Sequence, residues 1–125
     1  MPRARSIAAL VVDDQHSMRA MARLVLKEIG VVDVAVAASA EAAFEQMLGR
    51  RFDVVISDLN MPGTSGAELA ERMKAHPDLR GVPVFLATST AYRDQAGAAV
   101  DRFVAKPFVV AELRDALEAH LGALS

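Results

Sequence analysis

Residues 53–66 read DVVISDLNMPGTSG, and this stretch decides how the rest of the chain is organised. Val54-Val55-Ile56 is a β-branched apolar run, the signature of a strand buried on both faces. The run closes on a carboxylate, Asp58. Met61-Pro62-Gly63 then forces a loop. Ser65-Gly66-Ala67-Glu68 has the S-x-x-E spacing of a capping box, so a helix starts there. A strand, a carboxylate at its carboxyl end, a tight loop and a new helix is the layout of a site in an open α/β sheet. Read alone, Asp58 equally well ends a strand with no further role.

Working outward, residues 7–12, IAALVV, form a short apolar run closed by Asp13-Asp14 and read as the first strand. The next helix, 16–29, carries Met18, Met21, Ala22, Val25, Leu26 and Ile29 at helical spacing, with Arg19, Arg23, Lys27 and Glu28 elsewhere. Gly30 ends it. Residues 31–37 read as a second strand. Ser39 caps a helix with Ala43, Phe44, Met47 and Leu48 on one face, stopped near Gly49. Beyond the central stretch, helix 66–76 places Leu69 and Met73 inward, and Pro77 stops it. Residues 82–87 read as the fourth strand, followed by Thr88. The alanine-rich segment 91–100, broken by Gly97, reads as a short helix or a loop. Residues 102–105 form a fifth strand ending at Lys106-Pro107, and helix 109–121 turns Leu113, Leu117 and Leu121 inward.

Five β-α units with short connections predict an α/β fold, a parallel sheet with helices on both faces. Right-handed crossovers leave few topologies, and the expected one is the doubly wound, flavodoxin-like order 2-1-3-4-5. The 125 residues are expected to form one domain, with 1–6 as a flexible leader. No apolar run approaches the roughly 20 residues of a membrane span. The chain has no cysteine, which removes disulfides and thiolate metal sites, and a cytoplasmic location is expected. A formal charge of −2 and few aromatics argue against nucleic acid as a partner.

The topology brings separated polar residues to one edge. Asp13 and Asp14 end the first strand, Asp58 the third, Thr88 the fourth and Lys106 the fifth. Three carboxylates together repel one another at neutral pH. Lys106 supplies one compensating charge, and a hard divalent cation with oxygen ligands, Mg²⁺, is the natural remainder. With no Cys and no His pair at ligand spacing, zinc does not fit. A carboxylate beside Mg²⁺ and an ammonium is equipped to attack phosphorus and form an aspartyl phosphate. Each residue also has a plainer reading: Asp13 and Asp14 as helix caps, Thr88 as a backbone-bonded hydroxyl, Lys106 as a solvated neighbour of a turn.

Val11-Val12-Asp13-Asp14, Ser57-Asp58-Leu59-Asn60-Met61-Pro62 with Gly66, Thr88, and Lys106-Pro107-Phe108 together resemble the receiver domain of two-component response regulators, and within it the single-domain CheY-like type. The resemblance runs from about residue 7 to 121. It implies that Asp58 is the phosphoacceptor, and that Asp14 binds Mg²⁺ directly and Asp13 directly or through water. It implies further that Asp58 and the Asn60 backbone carbonyl complete the metal site, where Mn²⁺ would also serve. Thr88 and Lys106 would contact phosphoryl oxygens, and Lys106-Pro107 would be cis. Phe103 would be a switch aromatic moving with Thr88, although a fixed core aromatic stands as the alternative. Asn60 and Thr90 would tune dephosphorylation. The implied donor is a sensor histidine kinase or phosphotransfer protein, and the implied output is a protein contact by a monomer or weak dimer.

Several positions depart from the family pattern. The gap from Thr88 to Phe103 is about four residues, or roughly one helical turn, shorter than usual, so the fourth helix is expected to be short or irregular. Arg102 replaces the usual Gly before the switch aromatic. Val109 stands where a Thr or Ser cap is common. Two rival functions remain at this stage. A binding module independent of phosphorylation is opposed by the intact Asp13, Asp14, Asp58, Thr88 and Lys106 set. An Mg²⁺-dependent phosphohydrolase is opposed by Asn60, which stands where such enzymes carry a second acid. The expected role is therefore not that of an enzyme, beyond catalysing its own phosphorylation and dephosphorylation.

Overall fold

The computed structural model describes residues 6–88 and 100–122. The strands are β1 (Ala8–Val12), β2 (Asp33–Ala37), β3 (Val54–Asp58), β4 (Val84–Thr88) and β5 (Arg102–Ala105). The helices are α1 (His16–Ile29), α2 (Ala40–Gly49), α3 (Gly66–Ala75) and α4 (Val110–Leu121). All strand pairs are parallel, in the order β2-β1-β3-β4-β5. This is the expected doubly wound topology, with β1 and β3 adjacent at the switch point. The expected short fourth helix in the segment 91–100, and Thr90, fall almost wholly outside the described residues.

Strand side chains alternate between two cores, as a period of two requires. Ala9, Val11, Val54, Ile56 and Phe85 face α1 and α4, where Ala22, Leu26, Leu113 and Leu117 are buried. Leu10, Val12, Val55 and Val84 face α2 and α3, where Ala43, Met47, Leu69 and Met73 are buried. β1, β3 and β4 are covered on both faces, which explains why their sequences are apolar without alternation.

The structure corrects the sequence reading at a few positions. Met21 and Leu48, expected inward, are 45% and 58% exposed. In each case the apolar stripe is narrower than the sequence suggests, because one helix face meets only one face of the sheet. The second strand begins at Asp33, since Gly30 and Val31 still close the helix onto Leu26. The fourth begins at Val84, because the Val82 N–H closes a turn onto Leu79 and Pro83 has no N–H to pair. Carboxylates fasten two strand starts: Asp53 Oδ2 accepts from the Ala8 N–H at 2.8 Å, and Asp101 Oδ2 from the Val84 N–H at 2.8 Å.

The helix after β3 starts as expected. Ser65 Oγ accepts from the Glu68 N–H at 3.1 Å, and Glu68 Oε1 accepts from the Ser65 N–H at 3.2 Å, completing the capping box. Ser65→Ala removes one half of it, and urea denaturation is expected to show a loss of about 1 kcal/mol. No helix of the described residues is long and apolar enough to cross a membrane.

Candidate functional site

The site lies at the carboxyl edge of the sheet, where β1 and β3 end side by side. Register places Val12 opposite Ser57, so the residues that follow each, Asp13 and Asp58, emerge together. Asp13 is 3% exposed. Its Oδ1 accepts from the Gln15 N–H at 2.9 Å, which turns the chain into α1. Asp13 is not the cap of α1, whose N-cap is Gln15 with no side-chain cap bond; it fixes the turn before the helix, and its other oxygen faces the site. Lys106 Nζ lies 3.0 Å from Asp13 Oδ2 and 3.2 Å from Asp58 Oδ1. Asp14 is exposed, and one oxygen from each of Asp13, Asp14 and Asp58 falls within 4.8 Å of the others.

Burial pushes the Asp58 carboxyl above its ordinary value. The Lys106 ammonium opposes that rise, the Asp13 charge adds to it, and the Asn60 backbone N–H opposes it. The site therefore carries more negative charge than one ammonium balances. That imbalance is the observation by which a hard divalent cation fits: carboxylate oxygens converge, one of them is reachable from solvent, and no softer ligand is present in the cluster.

Thr88 ends β4 at 3% exposure, beside the strand that carries Asp58. Asn60 is exposed on the loop after β3, and Met61 is buried in the α2–α3 core, which anchors that loop. The Lys106-Pro107 peptide is cis, as the resemblance implied. Phe103 sits half-buried on β5 opposite Leu86.

Three contributors escaped the sequence reading. Arg19 Nη1 donates to the Asp13 carbonyl oxygen at 2.8 Å, placing a second cation at the acidic turn. Its partner is a backbone carbonyl, which no sequence pattern marks. Ser57, fully buried, donates from Oγ to the Asp58 carbonyl oxygen at 3.0 Å. Gly66 was legible as a helix start and as part of the family motif, but not for its packing. It also lies so close beneath β3 that an added Cβ would collide with the Asp58 carbonyl oxygen and come within 2.8 Å of Leu86 Cδ2.

A doubly wound sheet that gathers three carboxylates and a lysine at its switch-point edge defines a class, the phosphoacceptor signalling domain. The family model of the response regulator receiver domain matches residues 9–118, and the chain belongs to that family. It is 34% identical over 113 residues to the chemotaxis protein CheY of Pseudomonas aeruginosa, covering 87% of this chain and 91% of that one. It is 31% identical over 118 residues to the chemotaxis protein CheY-3 of Vibrio cholerae, covering 91% of each. The crystal structure of the response regulator TrrA from Thermotoga maritima, in complex with Mg²⁺-BeF, superposes with a TM-score of 0.83 at 30% identity. That match covers 92% of this chain and 99% of TrrA. The protein is thus a CheY-like phosphoacceptor receiver, a signalling regulator rather than a classical enzyme, and its acidic cluster fits the phosphorylation site of the family.

Proposed function

We propose that Asp58 accepts a phosphoryl group from the phosphohistidine of a sensor kinase or phosphotransfer protein. The observation that carries this is Lys106 Nζ bridging Asp13 and Asp58 at the carboxyl edge of the sheet. One Asp58 oxygen attacks phosphorus, the P–N bond breaks, and the departing imidazole nitrogen keeps the bond electrons and takes up a proton. Asp13, Asp14, Asp58 and the Asn60 carbonyl would hold Mg²⁺. Bound there, Mg²⁺ would screen the incoming anion and stabilise charge on the phosphoryl oxygens.

The chain's own groups carry the remainder. Lys106 orients the Asp58 carboxylate and pairs with a phosphoryl oxygen once the transfer has occurred. The Thr88 hydroxyl hydrogen-bonds another. Phe103, one strand beyond Thr88, follows the movement of that hydroxyl and tilts an existing two-state equilibrium. Asn60 and Thr90, two residues beyond Asp58 and Thr88, set the rate at which water removes the phosphoryl group. The chain so catalyses its own phosphorylation and dephosphorylation, and the output is a protein contact.

The test is intact mass after incubation with acetyl phosphate, with and without Mg²⁺, followed by borohydride trapping and peptide mapping. One Mg²⁺-dependent phosphoryl group on Asp58 is the expected result. Failure with both acetyl phosphate and a phosphohistidine donor, on folded protein, overturns the proposal. Lys106→Met is expected to slow incorporation about 100-fold at saturating Mg²⁺, the usual cost of removing one preorganised charge from the transition state. Single-turnover mass kinetics measure it.

A further inference from the structure

A groove of about 530 Å³ runs between α1 and β2, away from the acidic site. Leu24 and Val32, both 63% exposed, project at it, and Val31 and Val34 line it. Arg23 and Lys27, one helical turn apart, stand on its rim. Among the described residues neither cation has an ion-pair or hydrogen-bond partner, and no carboxylate lines the groove. The nearest one along β2, Asp33, is held by Arg50 at 2.7 Å. Single exposed aliphatics are ordinary on any surface. Two facing each other across a groove, between unpaired cations, have the form of a protein-binding face.

We propose that this groove docks an acidic amphipathic helix of a partner protein, with apolar side chains entering between Leu24 and Val32 and carboxylates meeting Arg23 and Lys27. Charge decides among the possible occupants. A second copy related by two-fold symmetry would set Arg23 and Lys27 against their own counterparts. An added β-strand is disfavoured because a side chain of α2 already takes an acceptor of β2, Gln46 Nε2 donating to the Val36 carbonyl oxygen at 2.9 Å, and an ion pair, Asp33 with Arg50, stands at the start of that strand. An anionic membrane suits a protruding polybasic face, whereas this is a concave surface with two free cations. A helix laid into a groove uses apolar anchors at helical spacing and flanking charge of the opposite sign.

The probes are two stapled helices, each with one leucine stripe, bordered by glutamates in one and by lysines in the other. Amide shifts of the full-length protein are followed by NMR. The expected result is binding of the glutamate-bordered helix, with shifts centred on residues 20–34 and affinity falling as salt rises. Leu24→Ser is expected to weaken it about tenfold or more. The double variant Arg23→Glu and Lys27→Glu is expected to reverse the preference toward the lysine-bordered helix. All three side chains are exposed, and matching thermal melts check that the variants fold. Equal binding of both helices, shifts elsewhere, or no binding overturns the proposal. So does loss, in Leu24→Ser, of self-association or of binding to phosphatidylserine vesicles in place of peptide binding, which would assign the face to a second copy or to a membrane.

Discussion

Asp58→Asn abolishes phosphoryl incorporation and at the same time makes the metal-free protein more stable. The first effect follows from chemistry: an amide has no carboxylate oxygen to attack phosphorus, and the other carboxylate paired with Lys106 among the described residues, Asp13, is 3% exposed and already accepts from the Gln15 N–H. The second follows from the charge balance of the site. Asp13, Asp14 and Asp58 converge on one ammonium, and burial raises the Asp58 carboxyl above its ordinary value. A raised carboxyl pKa in the folded state means that the native form binds its proton more tightly than the unfolded chain does. Stability therefore falls as pH rises from the unfolded pKa through the folded one, and stays reduced above it. Asn removes that loss while keeping the side chain's shape. At pH 7 in EDTA the variant is expected to gain about 1 kcal/mol, or about 3–6 °C in melting temperature. The gain should shrink as pH falls through the raised folded pKa toward the ordinary carboxylate value, and be gone below it. Excess Mg²⁺ should stabilise wild type more than the variant, because binding to the native state alone adds stability. Melts across pH, with EDTA and with Mg²⁺, read all three. A variant less stable than wild type at neutral pH would contradict this account of the site.

On this account function is maintained against stability, and that conflict is also why the site residues stood out once the strand order was read. Polar residues at the carboxyl ends of buried strands violate the local pattern of apolar runs, and Asp13, Asp14, Asp58, Thr88 and Lys106 stood out for that reason. The sheet was legible because β1, β3 and β4 are buried on both faces and read as unbroken apolar stretches. Amphipathic faces were less so. Met21 and Leu48 satisfy a helical stripe in sequence yet point to solvent, since the width of a stripe depends on the surface it meets. Arg19 was invisible because its partner is a backbone carbonyl, which no sequence pattern marks. Strand starts were misplaced where a side chain or turn takes the first hydrogen bond, as Asp101 does for Val84.

Gly66→Ala is the substitution where local propensity and tertiary packing give opposite answers, and packing is expected to win. Gly66 is the first residue of α3 and is buried. Alanine favours a helix over glycine by about 1 kcal/mol, so propensity alone predicts stabilisation. The backbone of Gly66 is pressed against β3, however: its N–H donates to the Leu59 carbonyl oxygen at 3.0 Å. An added Cβ would overlap the Asp58 carbonyl oxygen, which belongs to the paired centre of the sheet and has no free direction in which to move. Leu86 Cδ2 at 2.8 Å and Ser57 Oγ at 3.0 Å close the remaining sides. Relief requires α3 to lift from the sheet, which opens the core around Leu69 and Met73. Overpacking of this kind costs about 1–3 kcal/mol, and valine in place of alanine is expected to exceed that range and leave little folded protein. Gly49→Ala, in α2 with nothing within 4 Å of the added carbon, is the control and should be neutral or mildly stabilising. Urea denaturation of the three variants separates the explanations. Because the clash acts on the peptide that carries Asp58, folded Gly66→Ala should also take up phosphoryl groups at least about tenfold more slowly, as a misplacement near the reacting atom predicts. Gly66→Ala and Gly49→Ala gaining equal stability would show that the close approach of α3 to β3 does not constrain the site.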